Sequence, residues 1–321
     1  MSETRALLTL YCAAARAFAV GHSAAALSSS VRQGTLGIKS PLPLLFDVDC
    51  NAALMAANLP ALLAEARVRG VAAIFVPGSS LDDSEAPLPA RVSNVEIFRS
   101  AGVHPFDAKS PPRQQDLERL DRLLSTGKVA CGECGLDSSP GFPPLDVQIE
   151  WFKAQIDLAV NKNLPLFAHE RGAHKEFMQI LGPRISELKK GVMVHCFTGN
   201  PNELLAYNRA GFYISISGVI CRNGEPGATV RRALQLHPPP SDRLCIETDA
   251  PYMGFPGCRG RSDKRQSPNV PSALPLVLSK LAEVLNANHD ALAHSCTATA
   301  LDFFGIDSSV LAQSRAPDLM D

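Results

Sequence analysis

Val129-Ala-Cys-Gly-Glu-Cys-Gly-Leu-Asp137 begins as a short apolar run and closes on acids. The apolar part is too short for a helix and does not alternate with polar residues. A strand buried on both faces of a parallel sheet reads this way. Working outward, similar runs occur at 44–48, 71–76, 95–103, 129–134, 164–168, 192–196, 212–219 and 244–248. Between them lie stretches with helical spacing at 52–69, 114–124, 147–160, 175–188, 203–209, 229–236, 273–285 and 289–304. Short apolar strands, each followed by a helix or a helix-bearing loop, predict an α/β fold, a closed (β/α)8 TIM barrel. An open doubly wound sheet is the alternative, weakened because no Gly-x-Gly-x-x-Gly turn follows the first run. Two stretches, 78–90 and 251–271, read as irregular insertions.

In a barrel, chemistry sits at the C-terminal ends of the strands. The runs end at Asp49 and Asn51, His104, Glu133 and Asp137, His169 to Arg171, His195, and Glu247 to Asp249. One histidine at a strand end is more often a satisfied core group than a ligand. Three of them, His104, His169 and His195, joined by Glu133 and Asp249, are hard to explain as packing. Burying such groups without partners costs roughly 2–7 kcal/mol each. A cation removes that cost, and two histidines with two or more carboxylates suit Zn2+, Mn2+ or Mg2+. Glu133 has two oxygens to share between a pair of ions, which together can activate a water and stabilise a leaving oxygen. Arg171 beside His169 is placed to pair with a phosphate oxygen. The basic stretch 257–265 hints at a phosphate, although a solvated charge run is the blander reading.

Composition narrows the function further. A net charge of −1 argues against a protein that coats nucleic acid, but not against an enzyme that grips a few phosphates. Nine scattered cysteines, an odd number, suit a reducing compartment better than a disulfide framework. Cys131 and Cys134 read as packing residues. No uncharged apolar run reaches the length of a membrane span. Arg5, Arg16, Arg32 and Lys39 stand against a single acid, Glu3, before residue 41. That bias suits an unstructured tail or a transit peptide, so the expected address is the cytoplasm, or a mitochondrion or plastid if residues 1–41 are a leader. The domain reading is an extension at 1–41, a barrel at 42–306 and a tail at 307–321.

The strand-end motifs Gly102-Val-His-Pro105, Gly132-Glu-Cys-Gly-Leu-Asp137, Ala168-His-Glu-Arg171, His195-Cys-Phe-Thr-Gly199 and Glu247-Thr-Asp-Ala-Pro251 occur in this order. Together they resemble the TatD-related deoxyribonuclease family across roughly residues 44–305. The resemblance implies a TIM barrel that hydrolyses DNA phosphodiesters with one or two divalent ions, Mg2+ first among them, commonly from the 3′ end. DNA is then the substrate, with RNA as a further candidate. It implies metal ligands at Glu133, His169, His195 and Asp249, catalytic roles for Glu133 and Asp249, and His104 near the substrate phosphate. Asp249 would accept the proton of the attacking water. Many members carry His-x-His at the end of the first strand, where this chain has Asp49 and Asn51. Asp49 is therefore the candidate oxygen ligand for a second ion. Late in the chain, 268–271 replaces the family's Arg-Asn-Glu-Pro element and lacks its acid. Two competing readings are a small-molecule amidohydrolase-type enzyme, and a barrel without catalysis that acts as a binding protein.

Overall fold

A computed structural model describes residues 43–260 and 268–313. The extension read at 1–41 and Arg261, Lys264 and Arg265 of the basic stretch lie outside the described residues. The strands are β1 (Leu45–Asp47), β2 (Val71–Val76), β3 (Arg91–Val92), β4 (Val95–Ala101), β5 (Ala130–Asp137), β6 (Leu166–Arg171), β7 (Val192–Val194), β8 (Tyr213–Ile216) and β9 (Leu244–Ile246). All except β3 pair in parallel, each with the next in the chain. The sheet then closes. Val48 N–H donates to Ile246 O at 3.2 Å, and Asp249 N–H to Asp49 O at 2.8 Å. This is the expected (β/α)8 barrel.

The helices are α1 (Leu59–Val68), α2 (Leu81–Glu85), α3 (Gln114–Leu124), α4 (Leu145–Lys162), α5 (His174–Leu181), α6 (Pro201–Arg209), α7 (Gly227–Leu236), α8 (Leu274–Leu285), α9 (His289–Phe304) and α10 (Ser309–Gln313). Their apolar faces pack on the outer face of the barrel. Leu63, Leu120, Phe152, Phe177, Leu204, Val230 and Leu278 form one buried cluster with Ile74, Cys131 and Ile214 of the strands. The caps follow from sequence. Asn200 accepts from the N–H groups of Asn202 and Glu203, Glu203 accepts from Asn200 N–H, and Pro201 fills the first turn of α6.

Three differences from the sequence reading have local causes. The helix expected over 52–69 is a 3-10 segment, Ala52–Asn58, followed by α1. Pro60 lacks an N–H and fits only a helix's first turn, so the regular helix starts there. The helix expected over 175–188 stops at Leu181, where Gly182 and Pro183 begin a 3-10 turn. The irregular stretch 78–90 contains α2, capped by the Ser80 hydroxyl accepting from Asp83 N–H, and leads into β3. Ser93 and Asn94, with φ of 50° and 58°, make the two-residue turn from β3 to β4.

The inside of the barrel is layered. Phe46, Phe75, Phe167, Met193, Tyr213 and Cys245 fill its lower part, and Phe303 and Phe304 of α9 close it from below. The Phe75 and Phe304 rings stack with centroids 4.3 Å apart. Leu311 of α10 is buried in the same cluster, so the stretch read as a tail begins with packed structure. Among the described residues no helix is long and apolar enough to cross a membrane.

Candidate metal centre

Alternation along each strand carries the apolar floor upward into a polar mouth. Phe167 is followed inward by His169, Met193 by His195, Tyr213 by Ser215, and Cys245 by Glu247 and Asp249. The His195 ring lies on the Phe167 ring, centroids 4.8 Å apart at 27°. The imidazole is therefore fixed from below by the core.

Glu133 reaches this mouth by a different route. Cys131 pairs with Leu166 and Cys134 with Ala168, so three steps on β5 match two on β6. The extra residue is a bulge. It lets Cys131 and Cys134, an odd number apart, both pack in the outer cluster, and turns Glu133 toward the barrel interior. Glycines permit the close strand approach. A Cβ on Gly135, whose φ is +143°, would lie 1.9 Å from the carbonyl oxygen of His169. The Cys-x-x-Cys pair is thus packing on either side of the bulge, and all eight described cysteines are free.

Three atoms converge here. Glu133 Oε1 lies 2.7 Å from His195 Nε2 and 3.1 Å from His169 Nδ1, and the two nitrogens are 3.3 Å apart. An ion with ligands about 2.0–2.1 Å away spaces neighbouring donors roughly 2.9–3.4 Å apart, by the geometry of an octahedron or tetrahedron. The triangle therefore fits one face of a coordination shell. With the rings protonated both nitrogens donate to Glu133 Oε1; with the rings neutral the two nitrogens and the carboxylate turn lone pairs toward one point, as ligands do.

The far nitrogen of each ring fixes what the near one offers. His169 Nε2 lies 3.0 Å from Asp137 Oδ2, which leaves the Nδ1 lone pair facing Glu133. His195 Nδ1 lies 3.0 Å from Asp49 Oδ2 and 3.7 Å from Glu247 Oε1, so the proton belongs on Nδ1 and the lone pair on Nε2. His104 is the opposite case. Its Nδ1 accepts from Phe106 N–H at 3.1 Å, so Nε2 carries the hydrogen and points into the mouth, 3.4 Å from Glu133 Oε1. By this logic His169 and His195 are ligand-type histidines, oriented by a carboxylate on the other nitrogen, and His104 is a donor. His104, Glu133 and His169 form one group able to hold a metal; Asp49, His195 and Glu247 form a second.

The charges are those of the metal-free centre, in which protons occupy the ligand nitrogens. Burial works against charge on Glu133, but His104 and His195 beside it hold its carboxyl well below the usual range. Burial likewise opposes charge on His169, and the hydrogen bonds to Asp137 and Glu133 overcome it, pushing the ring up to about 9. His195 is raised too, against burial, by Glu133, Asp49 and Glu247. Burial drops His104 to about 4, a neutral ring. Burial and the neighbouring Glu247 raise Asp249 to about 7. Asp49 Oδ2, His195 Nδ1 and Glu247 Oε1 are buried close together without an aligned hydrogen bond among the described residues, a polar set whose cost of burial a nearby cation offsets.

The sequence-read residues divide accordingly. Glu133, His169, His195, His104 and Asp49 meet in one place. Asp249 stands beside them but joins neither group; its Oδ1 accepts from Asn51 Nδ2 at 2.9 Å, in the place where a second histidine was the family expectation. Asp249 also holds a left-handed backbone, φ 53°, the kind of strain that active sites retain. Arg171 shares the inward register of His169 and lies exposed at the end of β6. Asp137 and Glu247 lie within the strand-end motifs, and the sequence alone assigns neither a role. Counting by twos back from Asp249 finds Glu247, whereas nothing in the sequence pairs Asp137 with His169. Glu170, in the same motif, points the other way and accepts from Tyr207 Oη at 2.7 Å among the outer helices.

The chain is similar to known proteins in sequence and in fold. The model of the TatD related DNase family matches residues 46–305. The 3′-5′ ssDNA/RNA exonuclease TatD of Escherichia coli K12 is 31% identical over 264 residues, 82% of this chain and 99% of its own. The protein of that name from Pectobacterium atrosepticum is 37% identical over 220 residues, 68% of this chain and 82% of its own. Among solved structures, the TatD homologue YJJV of Escherichia coli K12 superposes with a TM-score of 0.70 at 24% identity, covering 83% of this chain and 100% of that one. An uncharacterized amidohydrolase from Saccharomyces cerevisiae gives the same TM-score of 0.70 at 20% identity, over 82% of this chain and 100% of that one. These two likenesses speak for the fold alone.

Proposed function

The chain belongs to the TatD related DNase family, and on that premise we propose that it is a divalent-metal-dependent exonuclease that hydrolyses DNA phosphodiester bonds from the 3′ end. Single-stranded DNA is the substrate we assign, and RNA the second. The observation that carries the reading is the triangle of Glu133 Oε1, His169 Nδ1 and His195 Nε2, each histidine oriented from behind by a carboxylate.

In this reading Glu133, His169 and His195 hold the ion. Two imidazole nitrogens and one carboxylate suit Mg2+, Mn2+ or Zn2+, with Asp49, Glu247 and Asp249 adding negative charge around the ion. Bound there, the ion supplies Lewis-acid stabilisation of phosphate charge and eases deprotonation of a water. Asp249 is the base: Asn51 occupies one of its oxygens, and burial with Glu247 keeps its affinity for a proton near neutral pH. His104 donates its Nε2 hydrogen to a non-bridging phosphate oxygen, charge the transition state builds up. Arg171, at the rim, pairs with the neighbouring phosphate. Asp49 acts on His195 from behind in this assignment, in place of the second-ion ligand read from sequence.

The test uses single-stranded DNA labelled separately at each end, with Mg2+, Mn2+, Zn2+ or chelator, and Glu133→Gln alongside. Metal-dependent loss of the 3′ label first, absent in the variant, is the expected result. Intact DNA under every ion overturns the reading. Bound-metal content then separates a wrong substrate from a barrel without a site.

A further inference from the structure

A single exposed phenylalanine on a protein surface needs no explanation. Phe106 differs because of what it continues. Its backbone N–H fixes the His104 tautomer, and its side chain, 37% exposed, belongs to a series of rings leading out of the mouth. The His104 and Phe142 rings meet edge to face with centroids 6.0 Å apart, and Phe142 meets Phe106 in the same manner at 5.5 Å. Phe142 is half-buried. Lys109 Nζ stands 5.7 Å over the Phe106 ring, bringing a cation to its face. Exposure thus rises along the series from His104 to Phe106, and the path begins at the group assigned to the phosphate.

We propose that Phe106, backed by Phe142, is the stacking surface for the unpaired nucleobase attached to the phosphate that His104 holds, with Lys109 beside the next phosphate of the strand. The inference rests on the nuclease reading and deepens it. A phosphate and its base belong to one nucleotide, so a π surface reached from His104 through the Phe142 ring lies where the base of that same nucleotide can meet it. Every base presents a π face, so such a platform binds single strands with little regard to sequence, whereas a paired base keeps its faces inside the duplex. The proposal assigns single-strand preference to this rim, not to the residues around Glu133.

The function of Phe106 is positioning, so its loss is expected in KM and not in kcat. The experiment compares full-length wild-type protein with Phe106→Ala and Phe106→Trp on two metal-supplemented single strands. One strand is ordinary; the other has abasic residues at the three nucleotides of its 3′ end. Stacking on one ring is worth a factor of roughly 5–150 in binding. Phe106→Ala is therefore expected to raise KM on the ordinary strand by about that factor, with kcat within about twofold. On the abasic strand it should have no effect, and Phe106→Trp should restore the ordinary KM. Thermal unfolding of each variant shows whether the fold is intact; if Phe106→Ala unfolds early, Phe106→Leu replaces it, keeping bulk while removing the π face. Equal effects on both strands, or wild-type protein that cleaves both equally well, overturn the inference and leave the nuclease reading standing. Wild-type protein that cleaves neither strand overturns both.

Discussion

Asp137 Oδ2 lies 3.0 Å from His169 Nε2, across the ring from the nitrogen that faces Glu133. The carboxylate holds the imidazole in one tautomer and one orientation, so Asp137 acts on the centre without reaching it. Asp137→Asn is expected to weaken metal binding about 10- to 100-fold, the usual effect of losing such a partner. Titration calorimetry with Mn2+ checks this. Unchanged affinity would mean that His169 is held by packing alone.

The same pair sets a pH dependence. Without metal, His169 is raised to about 9 by its hydrogen bonds to Asp137 and Glu133, overcoming burial. A raised folded pKa stabilises the metal-free protein fully below the unfolded value near 6.5. That contribution is lost as pH climbs through about 9. Metal must displace this proton, so apparent affinity should tighten by up to about tenfold per pH unit for each proton released, levelling above pH ~9. Calorimetry in two buffers of different ionisation enthalpy counts the protons; a count of zero would refute the assignment.

How much of this was legible beforehand depended on what each feature needs. The strands around the barrel were readable because a strand covered on both faces must be apolar throughout, and 71–76 and 192–194 show it directly. Helix ends were readable where a residue enforces them, as at Gly305 after α9, and misread where Pro60 splits a continuous apolar period. The candidate ligands were readable as strand-end polar residues. What was not readable is direction. Glu133 turns inward only because of a bulge, and a pairing offset leaves no mark in one strand's own sequence. The pairing of Asp137 with His169 and of Asp49 with His195 depends on register between strands, for the same reason.

Beneath the site, Phe304 closes the barrel. It stacks on Phe75 and contacts Phe46, Phe167 and Phe303. Phe304→Ala removes a buried ring from a place the rigid barrel cannot collapse, with an expected loss of about 3–5 kcal/mol. Urea unfolding measures it. A loss under about 1 kcal/mol would show that α9 is a covering and not a plug.

Outside the barrel, Tyr207 Oη donates to Glu170 Oε2 at 2.7 Å, and both residues are buried. Tyr207→Phe leaves that oxygen without its donor, at a cost of about 1–3 kcal/mol. Burial raises the Glu170 carboxyl above its usual value, so its favourable neutral form is complete below pH ~4.5 and is lost as pH rises through the folded pKa. Tyr207 donates to the charged form and limits that loss. The deficit of Tyr207→Phe should therefore be larger at pH 7 than at pH 4, while metal affinity stays unchanged. A deficit independent of pH would assign it to packing.

His104 offers the sharpest division between ligand and donor. His104, Glu133 and His169 are close enough to share an ion, which would make His104 a third nitrogen ligand. The Phe106 N–H on its Nδ1 argues otherwise, because the remaining hydrogen then occupies the nitrogen that would have to bind. Burial lowers this ring to about 4, so above that pH it stays neutral and keeps that single hydrogen. A donor aimed at developing phosphate charge and a ligand fail differently. His104→Ala should leave the Mn2+ dissociation constant within about threefold while kcat falls about 100- to 1000-fold, the effect of removing one such donor. His104→Gln, whose amide retains an N–H, should recover part of kcat. If metal affinity falls together with kcat and Gln recovers nothing, His104 is a ligand, and the tautomer set by Phe106 gives way when the ion binds.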